Sequence, residues 1–245
     1  MASYSGGILL HTFDRIRIIN LRSRPDRRQE VAAQLARLGL SVDGHHIAFH
    51  DACRPDHAGA FPSIGARGCF VSHLDILSDA LSSGVRNVLI LEDDVDFATG
   101  IESRLPDAMT TLGSLSWSIF YGGHEMVDPI AQTAPLSVAD PNISTMTTHF
   151  VAFSRDAIRA AVPYLGKMMQ REAGDPAGGP MHVDGAYNWL RRAHPELMTI
   201  FATPMLGYQR ASRTDIHDLG LLDRLPGLRD LASVARRMKR HLIAA

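Results

Sequence analysis

Glu92, Asp93 and Asp94 stand in a row at the end of the aliphatic run Val88–Leu91, and Val95 returns the chain to apolar residues. Oxygen donors this close together suit a hard divalent cation, Mg²⁺ or Mn²⁺, which is usually held by one or two carboxylates plus substrate phosphates. If the backbone stays extended, alternation sends Glu92 and Asp94 to one side and Asp93 to the other. The same acids also fit a solvated turn closing a buried strand. Asp184 follows a glycine-rich stretch and opens a helical pattern. It fits either a helix cap or a general base for a hydroxyl. His73, beside Ser72, lies one turn from Phe70 and Leu77 in another helical pattern. Packing and a role in a site are both open to it.

The elements that must position these residues are legible in part. Residues 15–21, "RIRIINL", alternate as a strand, and the stretch after them carries Val31, Leu35 and Leu38 on one helical face, with Pro25 suited to the first turn and Gly39 to the end. Residues 45–52 read as a second strand, and a polar loop covers 54–63. Residues 65–83 fit a helix with Phe70, Leu74, Leu77 and Leu81 on one face, ended by Gly84. Val88–Leu91 is a short continuous apolar run, the mark of a strand covered on both faces. Strands alternating with helices predict an α/β fold with a mostly parallel central sheet flanked by helices. Ligands of such sheets bind beyond the carboxyl ends of the strands, where the three acids fall.

Beyond residue 100 the pattern loosens. Residues 117–123 and 146–154 read as strands, 155–165 as a helix, 128–142 as aperiodic, and 171–180, "REAGDPAGGP", as a mobile surface loop. Near the end, Leu231, Val234, Met238 and Leu242 recur at helical spacing beside Arg236, Arg237, Lys239 and Arg240. Such a basic amphipathic helix fits either peripheral contact with an anionic leaflet or packing on the main domain. The expected division is one domain over residues 1–223 and a helical tail over 224–245.

The formal net charge of −1 gives no global attraction to nucleic acid, so none is expected as a partner. Two cysteines, Cys53 and Cys69, make neither a disulfide framework nor a zinc-ribbon spacing. The absence of a long apolar run points to a cytoplasmic protein.

The segments "INLRSRPDRR", "GARGCFVSHLDIL", "LILEDDVDF" and "HVDGAYN" occur in an order and at separations that resemble glycosyltransferase family 25, over roughly residues 15–217. The resemblance is densest from Gly65 to Phe97. It implies a GT-A-like domain, a UDP-sugar donor, a saccharide or glycolipid acceptor, and inverting transfer of a hexose, galactose first, in bacterial lipopolysaccharide or lipooligosaccharide synthesis. Glu92 and Asp94 stand where other GT-A enzymes carry a metal motif. Asp94 is the expected ligand of Mn²⁺ or Mg²⁺, with Glu92 on the metal, its water or the ribose, and Asp93 behind them. Asn20, Leu21, Arg27 and Arg28 are expected to hold the nucleotide, Asn20 or nearby backbone reading uracil and an arginine meeting a phosphate. Asp184 is the expected base, His73 a second catalytic candidate, and His217 a further metal ligand from a stretch where Thr214 departs from the family pattern. A nucleotidyltransferase is the competing enzyme class, disfavoured because the first strand-to-helix turn has no glycine. A catalytically inactive sugar-nucleotide-binding module is the non-enzymatic alternative.

Overall fold

The computed structural model describes residues 5–126 and 134–210. The chain enters through a short helix, α1 (Gly7–Thr12), and then lays down β1 (Arg15–Asn20), α2 (Pro25–Arg37), β2 (Ile47–Asp51) and α3 (Ile64–Ser82). β3 (Asn87–Glu92), β4 (Val95–Phe97), α4 (Ile101–Gly113) and β5 (Ile119–Met126) follow. The second half adds β6 (Leu136–Ala139), β7 (Thr145–Ser154), α5 (Arg155–Met169), α6 (Val183–Ala193), β8 (Thr199–Ala202) and β9 (Gly207–Gln209).

Seven strands form one sheet in the order β2-β1-β3-β7-β5-β8-β6, and β4 pairs with β9 in a separate ribbon. β1 runs parallel to β2 and β3, β8 runs parallel to β5, and β7 and β6 run antiparallel to their neighbours. Five of the seven strands therefore point the same way, and the fold is α/β.

Period-two alternation divides the core. Ile16, Ile18, Leu89 and Leu91 join Val31, Leu35, Leu105 and Leu112 on one face of the sheet. Ile19, Val88 and Ile90 join Phe70, Leu77, Ile158, Leu165 and Tyr187 on the other. The helices thus cover both faces, which is why Val88–Leu91 are all buried. α3 starts at the Ser63 cap, whose hydroxyl accepts from the Ala66 amide at 3.0 Å.

Residues 171–180 contain no regular element, as expected, yet they are folded around a fixed centre. The Arg171 guanidinium donates to the carbonyls of Ala177 and Gly178. A Cβ on Gly179 would lie 2.1 Å from the Glu172 carbonyl oxygen, so the loop is drawn tight across itself. The aperiodic stretch holds β6, and α4 fills a region where no element was expected. Residues 211–245, with His217 and the basic tail, lie outside the described residues.

Candidate functional site

The three acids sit at the carboxyl end of β3, beside the carboxyl end of the parallel strand β1. The register pairs Ile19 with Glu92 and Asn20 with Asp51, so the ends of β2, β1 and β3 are level. β3 stops at Glu92, and Asp93 and Asp94 form a turn before β4. The Asp93 amide still bonds the Ile19 carbonyl at 3.2 Å, and the Arg210 amide donates to the Asp94 carbonyl at 2.7 Å. This corrects the expectation of an extended backbone through the acids. The β4–β9 ribbon bends the chain there, and the side chains separate through the turn rather than by simple alternation.

Each acid has its own surroundings, and all three are buried. Asp93 accepts from Arg27 Nη1 at 2.8 Å and from Asn20 Nδ2 at 2.6 Å. Burial pushes its carboxyl up, and Arg27 and Asn20 only partly offset that. Glu92 Oε1 accepts from the Thr148 hydroxyl at 2.7 Å, and His73 Nε2 stands 3.8 Å away, a charge contact beyond hydrogen-bond range. Burial would raise the Glu92 carboxyl, but His73 and Thr148 together hold it below the ordinary glutamate range. Asp94 Oδ2 accepts from Gln209 Nε2 at 3.2 Å, whereas Oδ1 is buried without a hydrogen-bond partner. Burial, then the charge of Glu92, pushes the Asp94 carboxyl up to about 7. A buried acceptor without a donor is rare in folded proteins, and a cation is one way to satisfy it. The donor set at Asp94 and Glu92 therefore fits a hard divalent cation.

A cleft of about 330 Å³ opens over the acids, lined by Asn20, Leu21, Arg24, Arg27, Arg54, Cys53, Gly68, Cys69 and all three acids. Gly68 lets α3 approach the strand-end loop closely, since a Cβ there would sit 2.4 Å from the Cys53 carbonyl oxygen. Ser72 ties the same loop down by accepting from the Cys53 amide at 2.8 Å.

The expected nucleotide residues divide into two groups. Leu21 lines the cleft. Asn20 also borders it, but its amide nitrogen donates to Asp93 and the Arg24 carbonyl, and its oxygen accepts from Arg28 Nε at 2.6 Å. Most of its side-chain hydrogen-bonding capacity is used internally. Arg28 pairs with Asp51 at 2.7 Å and lies 4.8 Å over the Phe49 ring, away from the cleft lining. Arg27 is bound to Asp93. Arg24, paired with Asp26 at 2.7 Å, and the exposed Arg54 are the cationic side chains nearer the mouth.

Asp184 lies in the first turn of α6, whose N-cap residue is His182, so it can serve the helix entry only from inside that turn. Its Oδ2 accepts from the Thr147 amide at 3.3 Å and its Oδ1 from Gly185 at 2.7 Å. Thr147 has φ 69°, a left-handed backbone unusual for a branched residue. His73 is fully buried, bonded through Nδ1 to the Tyr187 hydroxyl at 2.9 Å and with Nε2 3.8 Å from Glu92, so it stands in the core behind Glu92. Thr148, Tyr187 and Gln209 are the site neighbours that sequence reasoning missed. They come from elements far away in sequence, and no local spacing ties them to the acids.

Residues 13–125 match the family model of glycosyltransferase family 25 (LPS biosynthesis protein). Similar curated proteins include the inactive glycosyltransferase 25 family member 3 of Homo sapiens, 31% identical over 50% of this chain and 24% of its own length. The procollagen galactosyltransferase 2 of Mus musculus is 25% identical over 75% of this chain and 31% of its own. The chain spans about a quarter of the length of the curated relatives it matches first. Among solved structures, a glycosyltransferase involved in the glycosylation of the major capsid of PBCV-1 aligns with a TM-score of 0.46 and 14% identity, covering 82% of this chain and 94% of that one.

Proposed function

We propose that this chain, which carries a glycosyltransferase family 25 region over residues 13–125, transfers a hexose from a UDP-sugar to a saccharide acceptor. The observation that carries the reading is Asp94. Its Oδ1 is buried without a hydrogen-bond partner, the charge of Glu92 acts on it, and both acids line a cleft that arginines also line. The family description names lipopolysaccharide synthesis and a relative's name includes galactosyltransferase, so galactose and a surface-glycan acceptor are the first choices.

A divalent cation, Mn²⁺ or Mg²⁺, held by Asp94 with Glu92 would supply Lewis-acid compensation for charge on the departing diphosphate. The chain's own residues do the rest. Arg24 and Arg54 meet the phosphates at the cleft mouth, and Leu21 and the strand-end backbone take the nucleoside. Arg27 and Asn20 hold Asp93, and Arg28 holds Asn20, so that the turn keeps Asp94 in place. Asp184 removes the proton of the acceptor hydroxyl as it attacks the anomeric carbon from the face opposite the diphosphate, giving inversion.

A second reading has an observation of its own. The first curated relatives are named as inactive, which suits a sugar-nucleotide-binding module. UDP release on mixing the chain, Mn²⁺, UDP-galactose and a lipooligosaccharide acceptor decides between them. Acceptor-dependent release supports transfer. Donor binding without release supports the binding module. The division into a domain over 1–223 and a tail over 224–245 is part of the same proposal, as is peripheral membrane contact through that tail. No helix among the described residues is long and apolar enough to cross a membrane.

A further inference from the structure

Behind the acids, Glu92 also belongs to a second group of donors, whose cysteine and histidine have no part in the proposed transfer. Cys69 Sγ, His73 and Glu92 offer one ligand atom each, and these atoms lie within 4.8 Å of one another. Cys69 and His73 are four residues apart on α3, the spacing that puts two side chains on one helix face. Glu92 closes the group from the end of β3.

Two features of His73 point to a ligand. Its Nε2 is buried without a hydrogen-bond partner, although the ring is fully enclosed. Its other nitrogen is held by the Tyr187 hydroxyl at 2.9 Å, with the two rings edge-on at 5.7 Å. A metal-binding histidine is typically oriented this way, one nitrogen on the ion and the other fixed by a buried polar partner. Tyr187 is itself fully buried, so the orientation is built into the core.

We propose that Cys69, His73 and Glu92 form a site for a borderline-soft divalent cation, Zn²⁺ or Co²⁺, which adjoins the hard-cation position at Asp94 and shares Glu92 with it. One thiolate, one imidazole and one carboxylate match the donor preference of zinc and not that of Mg²⁺. The charges balance: a thiolate and a carboxylate neutralise a divalent ion, and the thiol proton leaves to solvent when the sulfur coordinates. Ligand bonds of about 2.0–2.3 Å bring tetrahedral donors to about 3.3–3.8 Å from one another. Side-chain rotations of Cys69 and Glu92 can supply the contraction of about 1 Å that this requires. Cys69 and Glu92 line the cleft while His73 lies behind them, so the fourth position faces the cleft, open to water or an anionic oxygen. This inference concerns cation uptake and does not rest on glycosyl transfer.

The test is Co²⁺ titration of the EDTA-treated full chain, read by absorption. The expected result is one equivalent bound with a thiolate-to-cobalt charge-transfer band in the near ultraviolet and intense four-coordinate bands in the visible. Cys69→Ser abolishes the near-ultraviolet band, and His73→Gln loses the site. Tyr187→Phe keeps the ring packing and weakens binding by about 10- to 100-fold. Cys53→Ser and Asp94→Asn retain the band. Should Cys69→Ser fail to fold, X-ray absorption on the zinc-loaded wild type gives the answer directly, with one sulfur in the ligand shell. A wild-type chain without a thiolate band or sulfur ligand overturns the proposal. So does a band lost in Cys53→Ser and kept in Cys69→Ser.

Discussion

Arg27 Nη1 and Asp93 Oδ1 form an ion pair at 2.8 Å, with the two side chains only 9% and 8% exposed. The pair joins the first turn of α2 to the turn after β3, and Asn20 Nδ2 closes it from β1 at 2.6 Å. Removing one partner of a buried pair leaves the other charge uncompensated, at a cost of about 3–5 kcal/mol. Arg27→Met is therefore expected to lower stability by about that amount in urea unfolding, with the loss reduced in the double variant Arg27→Met/Asp93→Leu. Unchanged stability in Arg27→Met would show that the pair does not hold the turn.

Asp94 should behave in the opposite way. Its Oδ1 has no hydrogen-bond donor to lose, and burial and Glu92 already disfavour its charge. Asp94→Asn is expected to melt no lower than wild type in EDTA, while Mn²⁺ no longer raises its melting temperature in the presence of UDP. A lower melting temperature in EDTA would mean that the carboxylate has a structural role.

Gly68 gives a steric prediction. Alanine there places Cβ 2.4 Å from the Cys53 carbonyl oxygen and 3.4 Å from Pro55 Cδ. The strand-end loop must move away from α3, at a cost of about 1–3 kcal/mol, and the cleft wall moves with it. Gly68→Ala is expected to lose stability by thermal melting and to weaken donor binding together. Retention of both would show that the loop yields without disturbing the cleft.

Asp184 is held in place by backbone donors from Thr147 and Gly185, not by a catalytic partner. Loss of a general base typically slows a reaction by about 10² to 10⁴. Asp184→Asn is expected to lower kcat by that order in the UDP-release assay, with the KM for the donor little changed. Wild-type kcat would remove Asp184 from the mechanism.

The half of the chain that builds the strand ends is legible in sequence because its signals are local. Ile16 and Ile18 alternate, Val31 and Leu35 recur at helical spacing, and Val88–Leu91 form an unbroken apolar run. β4, β6, β8 and β9 have only three or four residues each, too few for a period to register. α4 is hidden because Pro106 sits inside it and reads as a breaker. The acids are visible as a cluster, but their different roles are not. The turn at Asp93 and Asp94 depends on Gln209 and Arg210, which lie more than a hundred residues downstream. Asn20 shows the same limit. Its place at the strand end is legible, but its bonds to Asp93 and Arg28 depend on where β3 and α2 come to rest.

The most direct test of the central claim is isothermal titration of UDP-galactose into the wild-type chain and Asp94→Asn, each with Mn²⁺ and with EDTA. The account predicts binding to the wild type with Mn²⁺, a large loss in EDTA, and the same loss in Asp94→Asn whether or not Mn²⁺ is present. Equal affinity in all four titrations, or no binding to the folded wild type by any UDP-hexose, would contradict a metal-assisted nucleotide-sugar site at the ends of β1 and β3.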